Sequence, residues 1–279
     1  MNRPLPRPRK AWGQNFLIDP NIQRKILDAA EIQPGEQVVE IGPGRGSLTK
    51  GLLERGAALL AIEIDPLLVG MLQQAFPAPH LKLVQADALQ YPFEQLPAPF
   101  KVVANLPYYL STPLLFRLLE ERRRISKMVL MLQREVAERL VSAEGNKNYG
   151  VLSVLVQLYA DVRIAFHVSR GCFRPRPEVD SSVILLHPLS ETRVPLRNEA
   201  QFVRIVRGAF GHRRKRLANA LENAGFRRDR VEAALRKIGI DPGRRGETLS
   251  LAEFASLADT LDDSFGDRLG DRLGDRLID

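Results

Sequence analysis

The chain has 279 residues, of which 44% are hydrophobic and 27% charged, a composition typical of a globular protein with one large and one smaller domain. No apolar run reaches the roughly 18 residues of a membrane span, and MNRPLPRPRK is not followed by an apolar stretch, so we predict neither a membrane segment nor a secretory signal. The single cysteine, Cys172, cannot form an internal disulfide and suits a cytoplasmic location. Because the chain has only this cysteine and four histidines that are scattered along the sequence, no metal site is predicted.

The net charge of +8 is distributed unevenly along the chain. Residues 191–250 hold 15 Lys and Arg against 7 Asp and Glu, whereas residues 251–279 hold 3 against 8. An acidic tail therefore masks a strongly basic segment. Concentrated positive charge is typical of proteins that bind a phosphate backbone, but a solvated surface gives the same pattern, and charge alone leaves both open.

Short apolar runs alternate with helical patterns from residue 37 to about 187. The pattern predicts strands at 37–41, 58–65, 81–87, 101–105 and 128–133, with helices at 47–56, up to about Phe76 and from 134 to 145. Residues 161–168 and 181–188 are expected to form an antiparallel pair at a sheet edge. This alternation predicts an α/β protein with a Rossmann-like, doubly wound sheet, whose ligands bind beyond the carboxyl ends of the strands.

The pattern changes at about Pro195, where four stretches with helical spacing follow one another: 199–210, 214–225, 228–239 and 250–261. They predict a small all-α C-terminal domain. We therefore expect a first domain over residues 1–190 and a helical domain over residues 195–262. Residues 263–279 repeat the tetrapeptide GDRL, lack a core face and are expected to be a disordered low-complexity tail without assigned function.

A glycine-rich turn, GPGRG, begins at Gly42 directly after the first predicted strand. Its G-x-G-x-G spacing differs from the G-x-G-x-x-G that seats a pyrophosphate, and Glu40 before it would repel a phosphate but attract a cationic amino group. Glu63, at the end of the second strand, is placed to accept hydrogen bonds from two ribose hydroxyls, and Asp87 could bind an exocyclic amine of adenine. Each acid alone could be a surface or capping residue. Together after this loop they indicate S-adenosylmethionine, and hence a methyltransferase sheet.

The turn NLPY follows another strand at the same edge. Adenine N6 is a poor nucleophile because its lone pair is delocalised, and a site that accepts both amino hydrogens frees that pair. The side-chain carbonyl of Asn105 can take one hydrogen and the backbone carbonyl of Leu106 or Pro107 the other. Pro107 fixes the local backbone, and Tyr108 would stack on the base. The alternative is an ordinary turn in which Asn favours an exposed bend.

Phe173, in CFRPRPEVDSS, is a second aromatic candidate. It could clamp the other face of an extruded base, with Arg174 and Arg176 holding RNA phosphates. The alternative is a phenylalanine that anchors its loop in the core.

The segment WGQNFLID near the start could fold over the cofactor. Gln14 and Asn15 offer amides, and Leu17 an apolar cover. The same stretch could equally be the lead-in to a helix that Asp19 caps.

The motifs GQNFL, EIGPGRGSLT, IEID, DAL, NLPYYLSTP, LQREVAERL and FRPRPEVDSSV lie in this order over residues 13–183, and AFGHRRKRLANAL and GIDPGRRGETLSL follow. In this combination the chain resembles the KsgA-like dimethyladenosine transferases of small-subunit ribosomal RNA. Two residues depart from the family pattern: Trp12 replaces the usual phenylalanine, and Tyr109 stands where a small amide is common. The GDRL repeat is not a family feature.

The resemblance implies a first domain that binds S-adenosylmethionine and is catalytic, and a helical domain that binds RNA. The implied activity is N6,N6-dimethylation of two adjacent adenosines in the 3′-terminal hairpin loop of small-subunit (16S) ribosomal RNA, with a role in subunit biogenesis. The implied partner is that RNA within a pre-30S particle, and we expect a monomer with no membrane contact. The implied cofactor contacts are Asn15, Leu17, Gly42, Glu63, Asp87 and Asn105.

Three alternatives share parts of this pattern. Resistance enzymes that dimethylate an adenine of large-subunit RNA have the same glycine loop and NLPY turn, but GIDPGRRGETLSL favours the small-subunit family. A non-catalytic assembly or transcription factor would not need Glu63, Asp87 and the NLPY turn together. A DNA adenine methyltransferase is disfavoured because no DNA-reading module is recognisable.

Overall fold

A computed structural model of the chain describes residues 13–76, 79, 81–212 and 214–262. Their contacts divide them into two units. The first comprises the described residues up to Ala137 together with Asp161–Pro188, and the second comprises Glu138–Ala160 and the described residues from Leu189 onward. The expected domains at 1–190 and 195–262 stay predictions, and the sequence pattern did not indicate that 138–160 group with the later helices. Trp12, Arg213 and the GDRL tail lie outside the described residues.

The first unit is built on a seven-stranded sheet, with a separate two-stranded sheet beside it. The strands are β1 (Phe16–Leu17), β2 (Gln37–Ile41), β3 (Ala58–Glu63), β4 (Leu81–Gln85), β5 (Phe100–Asn105), β6 (Ile125–Gln133), β7 (Ala160–Val168), β8 (Phe173–Arg174) and β9 (Ser181–Pro188). The large sheet has the order β4-β3-β2-β5-β6-β9-β7, in which β2 to β6 run parallel and β9 runs antiparallel to β6. The predicted Rossmann-like sheet is confirmed as a mixed sheet.

The helices of this unit follow the strands in alternation. They are α1 (Pro20–Ala30), α2 (Thr49–Glu54), α3 (Pro66–Ala75) and α4 (Ser111–Glu120), and α5 (Arg134–Leu140) begins in this unit and ends in the second. Helices α1 and α3 begin in the same way, with an aspartate N-cap followed by proline. Asp19 accepts hydrogen bonds from the backbone N–H groups of Asn21 and Ile22, and Asp65 accepts one from that of Leu67. The helix lead-in with Asp19 as cap, left open by the sequence, is therefore present.

The central strands of the sheet are buried on both faces. On one face, Val38, Val103 and Val129 are each at most 2% exposed. On the other face, the same holds for Val39, Val102 and Met128. A sheet covered on both sides produces continuous apolar runs rather than alternation. Polar side chains are therefore concentrated where the strands end, which is where the site lies.

The second unit is helical. Its helices are α6 (Val151–Tyr159), α7 (Glu199–Gly211), α8 (Leu217–Asn223), α9 (Arg228–Lys237) and α10 (Leu251–Asp262). The rings of Tyr149, Phe210 and Phe254 pack in series, and the Tyr149 hydroxyl donates to the Leu249 carbonyl at 3.0 Å. The four predicted C-terminal helices are confirmed as α7 to α10. Within the described ranges, no helix is long and apolar enough to cross a membrane.

Candidate active site

An open cleft of about 1060 Å³ lies at the carboxyl ends of the parallel strands. The chain passes from β2 to β3 and β4 on one side of β2 and then returns to β5 on its other side, and a crevice forms at such a reversal of strand order. The cleft is lined by all the predicted site residues: Asn15, Leu17, Gly42, Glu63, Asp87, Asn105, Leu106, Pro107, Tyr108 and Phe173. The structure thus brings them together, while the role of each stays a prediction.

The glycine-rich turn forms one wall of the cleft and is tightly packed. Gly44 and Gly46 have φ of +58° and +79°, a region that favours glycine. A Cβ on Gly46 would lie 2.6 Å from Cε2 of Phe76, and one on Gly44 would lie 3.1 Å from Cδ1 of Phe16. The sequence of the turn is therefore dictated both by its backbone conformation and by its close neighbours.

Glu63 ends β3 at the border of the cleft and is 5% exposed. Its Oε2 accepts a hydrogen bond from the Gly44 backbone N–H at 3.1 Å, and its Oε1 accepts one from Asp65 N–H at 2.9 Å. Burial raises the pKa of this carboxyl, and the two backbone donors oppose the rise. The two hydrogen bonds thus hold the carboxylate beside the glycine turn, where it can accept hydrogen bonds from ribose hydroxyls.

Glu40 lies deeper in the same wall and is 2% exposed. The Thr49 hydroxyl donates to its Oε2 at 2.7 Å. Burial raises the pKa of Glu40 to about 8; the Thr49 hydrogen bond opposes this, and the nearby Glu63 adds to it. A buried carboxyl of this kind takes its charged form most readily when a cation lies next to it.

Asp87 has the capping role weighed from the sequence, and its role in binding the cofactor stays a prediction. Its Oδ1 accepts a hydrogen bond from Leu89 N–H at 2.9 Å, so it caps the turn after β4. It also borders the cleft, together with Leu89 and the 45% exposed Ile64. An adenine ring between these apolar side chains would have Asp87 within reach of its amino group.

Several hydrogen bonds hold the turn after β5. The Asn105 side-chain amide donates to the Asn15 carbonyl at 3.2 Å, and Leu106 N–H donates to the Met131 carbonyl at 3.3 Å. Leu110 N–H donates to the Pro107 carbonyl at 3.0 Å. No donor in the described part of the chain reaches Oδ1 of Asn105 or the carbonyl of Leu106. These two oxygens are the available acceptors, so the structure favours Leu106 over Pro107 for the backbone role.

The two tyrosines of the turn have different surroundings. Tyr108 is partly buried, and its hydroxyl lies 2.9 Å from Oγ of Ser181. Burial raises the pKa of Tyr108, so it is a neutral ring at ordinary pH. Tyr109 is 56% exposed and lies against Gly13, where an added Cβ would be 3.3 Å from the ring. The departure from the family pattern at Tyr109 therefore lies at the rim of the cleft.

Phe173 lies at the inner edge of the cleft and is only 1% exposed. It belongs to the core cluster and sits opposite Leu17 in the antiparallel pairing of β1 with β8. This packing favours the anchoring alternative, and the base-clamp role stays a prediction. Arg174 and Arg176 are exposed, as phosphate contacts would have to be.

Arg45 and Ile64 line the cleft but were not identified from the sequence. The Arg45 guanidinium lies over the Phe16 ring, 4.4 Å from its centroid, and Ile64 is exposed directly after Glu63. Arg45 lies within the glycine motif, and Ile64 is an apolar residue at the end of a strand. Both positions could have been recognised in the sequence as candidates for the cleft lining.

The cofactor implied by the sequence fits this cleft on the observed groups. Buried Glu40 suits a cationic amine, Glu63 suits a ribose, and Asp87 with Ile64 and Leu89 suits an adenine. The glycine turn leaves room for a ligand to approach the backbone. With the sheet order, these groups define an S-adenosylmethionine-dependent methyltransferase.

The model of the Ribosomal RNA adenine dimethylase family matches residues 6–263, and the chain belongs to this family. It is 47% identical to ribosomal RNA small subunit methyltransferase A of Moorella thermoacetica, covering 91% of this chain and 92% of that protein. It is 46% identical to the protein of the same name from Geobacter metallireducens, covering 90% and 94%.

Two solved structures have a similar fold over most of the chain. A dimethyladenosine transferase from Plasmodium falciparum aligns with a TM-score of 0.76 at 27% identity, covering 89% of this chain and 98% of that one. The 23S rRNA methyltransferase ErmE aligns with a TM-score of 0.67 at 27% identity, covering 89% and 100%. The family and the fold expected from the motifs are confirmed.

Proposed function

We propose that the protein transfers methyl groups to N6 of two adjacent adenosines in the 3′-terminal hairpin loop of small-subunit (16S) ribosomal RNA, giving N6,N6-dimethyladenosine. The names of its bacterial relatives, at 46–47% identity over nearly the whole chain, support the small subunit as the substrate. The family supports adenine as the base.

The observation that carries this proposal is the geometry of the turn after β5. The side-chain N–H of Asn105 donates to the Asn15 carbonyl, and this orients the amide while Oδ1 stays available to accept one amino hydrogen of adenine. The Leu106 carbonyl would accept the other. Two acceptors on one amino group favour a pyramidal nitrogen whose lone pair is available for attack.

The remaining residues orient the reactants. When bound, S-adenosylmethionine supplies an electrophilic methyl group on a sulfonium. Glu40 would bind the cationic amine of the cofactor and Glu63 its ribose, and Tyr108 offers a ring on which the target base can stack. Positioning supplies most of the rate, and the methylated product can lose its proton to water, so the site needs no strong general base.

The natural substrate in this proposal is the RNA within a pre-30S particle, and methylation belongs to subunit biogenesis in the cytoplasm. The proposed functional unit is a monomer. The basic residues of the second unit are the proposed RNA contacts.

The test is to incubate the protein with labelled S-adenosylmethionine and unmethylated small or large subunits, and then to map the modified adenines. Large subunits belong in the experiment because a 23S rRNA methyltransferase shares the fold. We expect label only in small subunits, on two adjacent adenosines near the 3′ end. Methylation confined to large subunits would overturn the proposal.

A further inference from the structure

We propose that Ser181 is a positioning residue for methyl transfer, whose hydroxyl holds the ring of Tyr108 in the orientation that receives the target base. This inference rests on the proposed function, because it concerns how the adenine is held. It assigns the Tyr108 hydroxyl a mechanical role, with no part in proton transfer.

The contact joins a partly buried ring at the cleft to a fully buried strand residue. Oη of Tyr108 lies 2.9 Å from Oγ of Ser181, and Ser181 is 0% exposed. One hydroxyl donates this hydrogen bond and the other accepts it. This hydrogen bond is made by the hydroxyl at the far end of the tyrosine side chain. It therefore restricts rotation of the ring without itself covering either face.

Ser181 is itself firmly held. It begins β9, where it pairs with Gln133 at the end of β6. The preceding carbonyl, that of Asp180, accepts a hydrogen bond from Arg134 N–H at 3.0 Å. Strand β6 also neighbours β5, which leads into Asn105. Ser181 thus ties the tip of Tyr108 to the same sheet that places Asn105.

The backbone of the turn alone does not fix the ring. The Tyr108 carbonyl accepts the Ser111 hydroxyl at 2.9 Å, which anchors the main chain at this residue. The side chain still turns about two bonds. A second attachment at the hydroxyl removes that freedom before the base arrives, which is the benefit of preorganisation. It also explains why tyrosine rather than phenylalanine suits this position.

The adjacent residue provides a matched control. Ser182 is also 0% exposed, and its Oγ lies 2.8 Å from Nδ1 of His167. Successive side chains of a strand point to opposite faces, so Ser182 is directed away from Tyr108. Replacing either serine by alanine removes one buried hydroxyl and one hydrogen bond, but only one of them concerns Tyr108.

The test compares kcat and KM on unmethylated small subunits for Ser181→Ala, Tyr108→Phe, the double variant and Ser182→Ala. We expect Ser181→Ala and Tyr108→Phe each to lower kcat by about 3- to 10-fold, the range of one net hydrogen bond, with KM for the cofactor unchanged. The double variant should lose no more than either single one. Ser182→Ala should keep the wild-type kcat, and Ser181→Thr should recover part of the loss.

Three results would overturn the inference: wild-type kcat in Ser181→Ala, multiplied losses in the double variant, or a far larger loss in Tyr108→Phe than in Ser181→Ala. If Ser181→Ala does not fold, Tyr108→Phe removes the same bond without altering the strand, and an unchanged kcat there is equally decisive. Failure of the proposed function is distinguishable, because the wild-type protein would then not methylate adenine in small subunits at all.

Discussion

Glu40 and Glu63 are two carboxyl groups buried in one wall of the cleft, and each is held by a different part of the chain. Thr49 of α2 donates to Glu40, whereas the glycine turn and Asp65 donate to Glu63. Burial raises the pKa of both, and each raised pKa disfavours the charged form. A cation bound beside Glu40 would restore its charge, and we therefore expect cofactor binding to release a proton.

The raised pKa of Glu40 predicts that the stability of the protein without cofactor depends on pH. The pKa of Glu40 is about 8 in the folded protein against an ordinary value of 4.5. The stability contributed by its protonated form is therefore fully present below about pH 4.5 and is lost as pH rises through 8. Each pKa unit corresponds to about 1.4 kcal/mol, so the loss is a few kcal/mol.

The measurement is the free energy of unfolding from pH 5 to 9 for wild type and Glu40→Gln. Above pH 6, we expect the free energy of unfolding of the variant to exceed that of wild type by an amount that grows with pH. Glu54→Gln, which changes an exposed glutamate on α2, should keep the wild-type profile. Parallel curves for wild type and Glu40→Gln would contradict the raised pKa.

At the scale of elements, the short ribbon of β1 and β8 joins parts of the chain far apart in sequence. Leu17 pairs with Phe173, and Gln14 reaches Asp65 with a hydrogen bond of 3.1 Å. The sequence pattern predicted neither contact, because two-residue strands carry no periodicity and their pairing depends on tertiary structure. The ribbon is also why Phe173 is buried, which hydropathy alone could not distinguish from an aromatic at a binding surface.

The connection between α7 and α8 is the most basic segment of the second unit. Arg214, Lys215 and Arg216 are exposed, and no ion pair is observed for them within the described residues. Helix α9 is also rich in arginine, but Arg228 and Arg236 both pair with Glu232. We therefore expect phosphate contacts at this segment rather than at α9.

Changing Arg213, Arg214, Lys215 and Arg216 to glutamine should weaken RNA binding and flatten its dependence on salt, by about one unit of slope for each phosphate that is no longer neutralised. The measurement is the dissociation constant for small-subunit RNA over a range of salt concentrations. Arg228→Gln with Arg236→Gln is the matched control and should leave the slope nearly unchanged. An unchanged slope in the fourfold variant would identify the segment as an ordinary solvated surface.

For the whole molecule, the sheet and the location of the site could be predicted because both follow from burial. Strands covered on both faces produce runs such as QVVEI, and the polar residues that end them must meet at one edge. The assignment of 138–160 to the helical unit could not be predicted, since it depends on contacts such as that of Tyr149 with Leu249. Local periodicity contains no information on such long-range packing.

In the proposed mechanism, the turn beginning at Asn105 prepares the adenine amino group for methylation. The most direct measurement is the yield of N6,N6-dimethyladenosine in unmethylated small subunits with wild type and Asn105→Ala, with RNA binding measured in parallel. We predict a loss of about 100-fold or more in turnover, typical of a removed transition-state acceptor, with RNA affinity largely retained. Asn21→Ala, at the exposed start of α1, should behave as wild type. Near-normal turnover in Asn105→Ala would show that Asn105 is not needed to prepare the adenine amino group.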